Sequence, residues 1–386
     1  MVKRYILVLT GIFLLCGQAL ATDGKILRFI YCSDLHYGLE REFRGSLTSA
    51  DSVSRAMIAG FHLLESTALP HDGGIGEGEI FGSPDFIVCT GDIANRMEDG
   101  VQTATESWAQ FLRDWNEYPD RGIQIYLVPG NHDISNAIGY PEPLSPETDD
   151  ASAAGIYRFN EDKSLPGPEG WKFDYSKDKT HYSFVVDSIR FVFMGMWPDS
   201  AMRGWYDLEI SGADTGVPRQ TENREDAAAG NRIPSLIFTH DAPQADAKHF
   251  TNPRGRHDIN PYDRFQNLLT DTCSVRDISR QPTGNWIVLE DFIRTHPDIK
   301  AYFHGDCNYN EFYTWHGPSG SISLPVFRVD SPMKGETSSD DETRLSFIVV
   351  CIDTSEKILT ARECLWNPDG HQGIRWGESR TISIGD

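Results

Sequence analysis

The chain has 386 residues, 39% of them hydrophobic and 24% charged, and a formal net charge of −22. That is enough apolar material for a large buried core. So acidic a surface repels nucleic acid and anionic lipid over long range, so a phosphate-bearing substrate has to be attracted locally, which points towards a metal site.

Residues 1–21 read as a secretory signal peptide. Lys3 and Arg4 precede an apolar run from Tyr5 to Leu15, and Ala19-Leu20-Ala21 has the small-residue pattern of a cleavage site. The run is too short for a membrane span. Cys16 lacks the small preceding residue of a lipidation site, since Leu15 stands there. The mature chain, 22–386, is therefore expected to be exported (periplasmic, extracellular or cell-surface) with no integral membrane segment. Losing Lys3 and Arg4 takes its net charge from −22 to −24. Export permits disulfides, and cysteines 32, 89, 273, 307, 351 and 364 remain. Cys32 and Cys89 end apolar runs and read as core thiols. Cys351 with Cys364, or either with Cys273, stays open as a pairing.

Ile26–Cys32 is an apolar run of strand length that enters Ser33-Asp34-Leu35-His36. Ser46–Ser66 carries Leu47, Val53, Met57, Ile58, Phe61 and Leu64 at helical spacing, and Gly-rich Ala68–Ser83 reads as loop. A second strand, Asp85–Cys89, enters Thr90-Gly91-Asp92. A helix over Val101–Trp115 places Trp108, Phe111, Leu112 and Trp115 on one face. A third strand, Ile123–Val128, stops at Pro129-Gly130 and delivers Asn131, His132 and Asp133 from its end. Polar stretches near 135–170 and 200–232 read as insertions, and Trp197-Pro198-Asp199 as loop.

His181–Asp187 and Arg190–Trp197 form a predicted hairpin, and Pro234–Thr239 a strand ending at His240. Lys248–Phe265 is a basic and aromatic segment. Gly284–His296 is a predicted helix, and Ile299–His304 a strand entering Gly305-Asp306-Cys307-Asn308. Glu311–Trp315, Leu324–Val329, Arg344–Asp353 and Ile358–Trp366 read as closing antiparallel strands. The opening βαβαβ order with right-handed crossovers predicts parallel strands whose carboxyl ends share one ligand site. The expected architecture is α/β: two mixed sheets face to face with helices outside, in one domain.

Five motifs now stand in order: Asp34-x-His36, Gly91-Asp92, Gly130-Asn131-His132-Asp133, Thr239-His240 and Gly305-Asp306-Cys307-Asn308. Their order and spacing resemble the calcineurin-like metallophosphoesterases, whose dinuclear centre draws on D-x-H, G-D, G-N-H, a later His and G-H-x-H. The resemblance implies their four-layer α/β/β/α sandwich, two divalent metal ions, and hydrolysis of phosphomonoesters or phosphodiesters. It places Asp34 and His36 on the first metal, Asp92 between the two, and Asn131 and His240 on the second. A hydroxide held between the metals would be the nucleophile. His132 would not ligate; it would sit beside the phosphate and donate to the leaving oxygen, so that His132 and Asp92 carry the catalysis. Asp133 and Asn95 stand behind them. Many relatives have Asp or Tyr where this chain has Asn95; an amide orients His132 without raising its basicity as a carboxylate would.

The last motif departs from the family pattern. By position Asp306 replaces a second-metal His and Asn308 a first-metal His. Both remain oxygen donors, which shifts preference from zinc towards manganese, magnesium or calcium, with iron and zinc still open. Asp34, Asp92, Asp306 and a hydroxide together balance two dications, whereas His at 306 would leave the site positive. Asp and Asn are also ordinary turn formers, which is the plain reading of both positions. His304 reads as a packed strand residue. Arg254, Arg256 and His257, with His249 nearby, form a basic cluster read as a substrate-phosphate contact or a solvated loop. The expectation is an exported phosphoesterase acting on a small-molecule or lipid-derived phosphoester, with no nucleic-acid partner. One alternative is an impaired member that binds a phosphorylated ligand or partner; another keeps the fold and has lost the metals.

Overall fold

The computed structural model describes residues 25–140, 142–160, 181–211, 233–246, 281 and 283–385. Strand β1 (Ile26–Cys32) lies parallel to β4 (Phe86–Cys89), and β4 to β5 (Gln124–Leu127), as the opening βαβαβ order predicts. On its other side β1 pairs antiparallel with β12 (Ser346–Asp353), followed by β13 (Ile358–Leu365) and β14 (Arg375–Ser383). A second mixed sheet runs β10 (Glu311–Trp315), β11 (Leu324–Arg328), β9 (Ile299–His304), β8 (Ser235–Phe238), β7 (Ile189–Phe193), β6 (Tyr182–Val186).

The strands read as continuous apolar runs because both faces are buried. Along β12, Phe347, Val349 and Cys351 point to the helical side, while Ile348, Val350 and Ile352 point between the sheets. The inter-sheet layer is largely aromatic. Phe29 meets Phe191 edge-on at 6.0 Å, and Tyr31 meets Phe303 at 5.4 Å. Helices α1 (Ala50–Glu65) and α2 (Ala104–Trp115), the latter followed by the single turn α3 (Glu117–Asp120), cover the first sheet through Met57, Phe61, Phe111 and Trp115. Helices α6 (Ser200–Ser211) and α7 (Thr283–Thr295) cover the second through Met202, Tyr206, Leu289 and Ile293. The layers are α/β/β/α, as expected.

Several local expectations give way to stronger signals. Ser46–Ser49 is not helix but strand β3, paired with β2 (Glu40–Phe43). Arg44 and Gly45, at φ 51 and 77, make the left-handed two-residue turn that suits a hairpin, and Leu47 is 63% exposed. Helix α2 starts at Ala104 rather than Val101 because Thr103 caps it. Glu106 N donates to Thr103 Oγ1 at 3.1 Å, and Thr103 N donates to the Glu106 carboxylate at 3.0 Å. The first predicted insertion begins inside helix α4 (Asn131–Ile138) and contains α5 (Ala151–Asn160); the two helices bury Ile134, Ile138 and Ile156. The second begins as α6, with Met202 N donating to Asp199 Oδ1 at 2.9 Å. Strand β11 is parallel to β9, not antiparallel, because β10 lies on its far side.

Cys32, Cys89, Cys307, Cys351 and Cys364 are all free thiols. Cys351 stands opposite Thr360 and Cys364 opposite Phe347 in the β12–β13 ladder. That offset of four positions, roughly 13 Å along a strand, rules out the Cys351–Cys364 bond. Cys273, His249, Arg254, Arg256 and His257 lie outside the described residues, as does the whole Lys248–Phe265 segment. Among the described residues no helix is long and apolar enough to cross a membrane.

Candidate metal centre

Cys32, Cys89 and Leu127 are in register at the ends of three parallel strands, so the loops that follow leave the sheet side by side. Backbone bonds fasten them. Asp34 N donates to Gly91 O at 3.0 Å, and His36 N to Asp92 O at 2.8 Å. The second sheet contributes from β8 and β9, where Gly305 N donates to His240 O at 3.0 Å. Asp306 N then crosses to Asp34 Oδ2, also at 3.0 Å. Close approach explains two glycines. A Cβ on Gly130 would strike the Asp92 backbone and carboxylate, and one on Gly305 would strike Ser33 and Asp34.

The backbone is strained where the candidate ligands sit. Asp34, His36, Asp92, Asp306 and Asn308 have φ of 59, 45, 49, 59 and 58, in the left-handed region that side chains other than glycine seldom enter. The other non-glycine residues there among the described ones, such as Asp187 and Ser188 in the β6–β7 turn, lie away from these loops.

Asp92 is the centre of the cluster. Its carboxylate lies 3.6 Å from His36 Nε2 on one side and 3.6 Å from His240 Nε2 on the other. Asp34, Asp92 and His240 present ligand atoms within 4.8 Å of one another, as do His36, Asp92 and His132, and His240, Asp241 and Asp306. Asn131 Oδ1 stands 3.0 Å from His240 Nε2 and 3.1 Å from Asp92 Oδ2, while its amide nitrogen faces Arg96 Nη2 at 3.2 Å. With the carboxamide turned over, its nitrogen would donate to Asp92 and His240 and its oxygen would accept from Arg96 Nη2, so the oxygen faces the carboxylate only where a cation lies between them.

The donor set fits a metal in other ways. His240 Nδ1 donates to Thr90 O at 2.6 Å, which leaves Nε2 as the ligating nitrogen facing the oxygens of Asp92, Asn131 and Asp306. Asp34 Oδ1 and both ring nitrogens of His36 are buried without a hydrogen-bond partner. Burial pushes the Asp92 carboxyl up to about 6, with Asp34 adding to the rise. Burial lowers His240, but Asp92, Asp34 and Asp306 outweigh it and hold the imidazole up at about 10. The pocket demands positive charge, and absent a metal a proton supplies it.

Asn308 Nδ2 donates to Asp306 O at 2.7 Å, and its Oδ1 is buried and unpartnered. Asp133 accepts from Gly130 N, Ala94 N and Ile93 N at 3.0, 3.1 and 3.2 Å, locking two of the loops together. His132 is oriented differently from the expectation. Arg96 N, not the Asn95 amide, donates to His132 Nδ1 at 2.8 Å, while Asn95 Nδ2 donates to Arg96 O at 3.1 Å. Burial, reinforced by Arg96, holds His132 well below the usual imidazole range, so it is neutral with its proton on Nε2. That nitrogen lies 3.7 Å from Asp92 Oδ2. His304 is packed, its Nε2 bonded to Tyr313 OH at 3.1 Å.

Sequence reasoning missed three residues. Asp241 adjoins His240, and Arg96 adjoins Asn95, so adjacency to a motif was a signal for both. Lys334 comes from the loop after β11, with its Nζ 3.2 Å from His132 Nε2; no motif marks it.

The family model for calcineurin-like phosphoesterases matches residues 27–306. No curated protein matches the chain. Among solved structures, vacuolar protein sorting 29 from Cryptosporidium parvum is 10% identical with a TM-score of 0.33, the alignment covering 93% of this chain and 98% of that one. The calcineurin-like phosphoesterase YfkN from Bacillus subtilis is 10% identical with a TM-score of 0.29, covering 93% and 91%. The family match starts in β1 and ends at Asp306, so it takes in the Asp34, Asp92, Asn131 and His240 loops as one set, and the chain belongs to the calcineurin-like phosphoesterases.

Proposed function

We propose that the protein is an exported, metal-dependent phosphoesterase. In this reading Asp34, His36, Asp92, Asn131, His240, Asp306 and Asn308 hold two divalent cations, with Asp92 shared. The observation that carries it is the convergence on Asp92: His36 Nε2 and His240 Nε2 each lie 3.6 Å from its carboxylate, and Asp34, Asp92 and His240 present ligand atoms within 4.8 Å of one another. When bound, the cations supply water activation and neutralise charge on the phosphoryl group. The oxygen-rich donor set favours manganese or magnesium over zinc.

The chain's own contribution is positional. Asp92 accepts the His132 N–H at 2.8 Å, so the shared carboxylate also fixes the start of α4. His132, fixed at Nδ1 by Arg96 N, presents Nε2–H to the leaving oxygen and stabilises by that hydrogen bond the charge that develops there as the ester bond breaks. The substrate is a small or lipid-derived phosphoester; the net charge of −22 disfavours nucleic acid. The replacement of two family histidines by Asp306 and Asn308 favours a second reading, a member that binds a phosphorylated ligand with little turnover.

The test is elemental analysis of protein purified in manganese- or zinc-containing buffer, alongside 4-nitrophenyl phosphate and bis(4-nitrophenyl) phosphate. Two ions per chain with hydrolysis of either ester supports the enzyme. Metal without hydrolysis selects the binding reading, and absence of metal overturns both.

A further inference from the structure

The loop after β11 reads Ser331-Pro332-Met333-Lys334-Gly335 and is fastened to the candidate ligands at both ends. Ser331 Oγ donates to Asp34 O at 2.8 Å and accepts from Met333 N at 3.2 Å and Lys334 N at 2.9 Å. Further along, Glu336 N donates to Asn308 O at 2.6 Å. Beneath the loop, the Arg41 guanidinium donates to Pro332 O at 2.8 Å. Lys334 is thus held at a set distance from both metal-ligand loops rather than swinging from a mobile turn.

Its ammonium faces a second donor. His132 Nδ1 already accepts from Arg96 N, so its proton is on Nε2, and Nε2 lies 3.2 Å from Lys334 Nζ. Among the described residues Lys334 has no ion-pair partner. The Arg96 guanidinium, nearly buried over the Tyr140 ring at 3.8 Å, reaches the same cluster through its contact with Asn131. Donors packed against donors are unfavourable until an acceptor with several lone pairs enters between them, and a phosphoryl group is such an acceptor.

We propose that Lys334 binds the phosphoryl oxygens of the substrate opposite His132 and biases the site towards dianionic phosphomonoesters over monoanionic diesters. This rests on the phosphoesterase reading and names its substrate class. Asp306 lowers the charge of the centre by one relative to the family's histidine, and Lys334 returns that unit from a neighbouring loop. The added cation acts on both charges of a monoester but on only one of a diester, so its removal penalises the monoester more.

The experiment measures inorganic phosphate binding by calorimetry to manganese-loaded wild type, Lys334→Ala, Lys334→Gln and Lys334→Arg, with metal content checked in each. Steady-state rates on 4-nitrophenyl phosphate and its bis-ester follow. Phosphate affinity should fall at least tenfold in the Ala and Gln variants and recover at least in part in the Arg variant. kcat/KM for the monoester should fall at least tenfold further than for the diester. Phosphate affinity within twofold of wild type in the Gln variant, or equal losses on both esters, overturns the proposal. If wild type binds phosphate but hydrolyses neither ester, the enzymatic reading fails while the calorimetry still decides whether Lys334 holds phosphate.

Discussion

Asp306 stands where the resemblance places a histidine, and its charge should be felt at the phosphate. Its Oδ1 lies 3.8 Å from His240 Nε2, its backbone N–H is bonded to Asp34, and its side chain is 24% exposed. A unit charge about 4 Å away is worth about 1 kcal/mol in water and about 4 kcal/mol at an effective dielectric near 20, and a quarter-exposed side chain falls between. Asp306→Asn and Asp306→His each remove that charge, so inhibition by inorganic phosphate should strengthen about tenfold or more. Only the His variant adds an imidazole, so only it should also retain zinc better. The backbone tolerates both, since His36 and Asn308 already occupy the left-handed region at φ 45 and 58. The assay is phosphate inhibition of 4-nitrophenyl phosphate hydrolysis, paired with elemental analysis. Phosphate inhibition unchanged within twofold in both variants would refute the electrostatic argument, and improved zinc retention in Asn would refute the donor argument.

Asp92→Asn keeps the shape of the shared side chain but removes its charge, and both clusters that use it should lose their ions; elemental analysis still finding two per chain counts against Asp92 as the shared ligand. Gly130→Ala drives a methyl group into Asp92 although its φ of −98 suits alanine, so metal content should drop for a steric reason, and a full metal complement contradicts that. Glu290 in α7 is buried and accepts from Ser319 N, Ser319 Oγ, Ser321 N and Ser321 Oγ at 2.6–2.9 Å. Burial alone would raise its carboxyl, but these donors outweigh it and hold it at about 2. A depressed carboxyl stabilises above its unfolded value of 4.5 and loses that contribution as pH falls towards 2. Glu290→Gln should therefore cost about 1.5–3 kcal/mol at pH 7 and much less near pH 3 by thermal unfolding; an equal loss at both pH values contradicts the assignment.

Elements with strong periodicity and a clear stop were legible in the sequence. Ile26–Cys32 and Ile299–His304 coincide with β1 and β9, because both faces of each strand are buried and the polar residues begin where the sheet ends. What escaped was governed by tertiary context. Leu47 reads as the first turn of a helix only until Arg44-Gly45 folds the chain back, and its exposure then makes it irrelevant to the core. Strand β14 is an edge with mostly exposed side chains, so its apolar signal is too thin to see. The helices in the two polar stretches were hidden by their acids, prolines and glycines, although Ile134, Ile156 and Met202 are buried.

At the site, the legible residues were those that a short motif carries on one loop. Lys334 could not be found that way, since its place beside His132 depends on Ser331 gripping Asp34 across the fold. The opposite problem arose at Asp306 and Asn308, where the residue types alone left turn former and ligand both standing. The backbone adds a likeness between two loops that the sequence could not show. Asp34 and His36 follow β1 at φ 59 and 45; Asp306 and Asn308 follow β9 at φ 59 and 58. Two D-x-H/N loops, one from each sheet, thus both carry left-handed residues at the first and third motif positions, and they are bonded to each other through Asp306 N and Asp34 Oδ2. Positive φ alone does not mark a ligand, since Asp187 and Ser188 hold it in the plain β6–β7 turn; what sets the Asp306 loop apart is that its backbone N–H bonds the Asp34 carboxylate and its own carboxylate lies 3.8 Å from His240 Nε2. As ligands, Asp306 and Asn308 would alter donor chemistry and charge on a loop already tied to Asp34 through its backbone, which is why substitution at 306 should tune metal and phosphate affinity without rebuilding the fold.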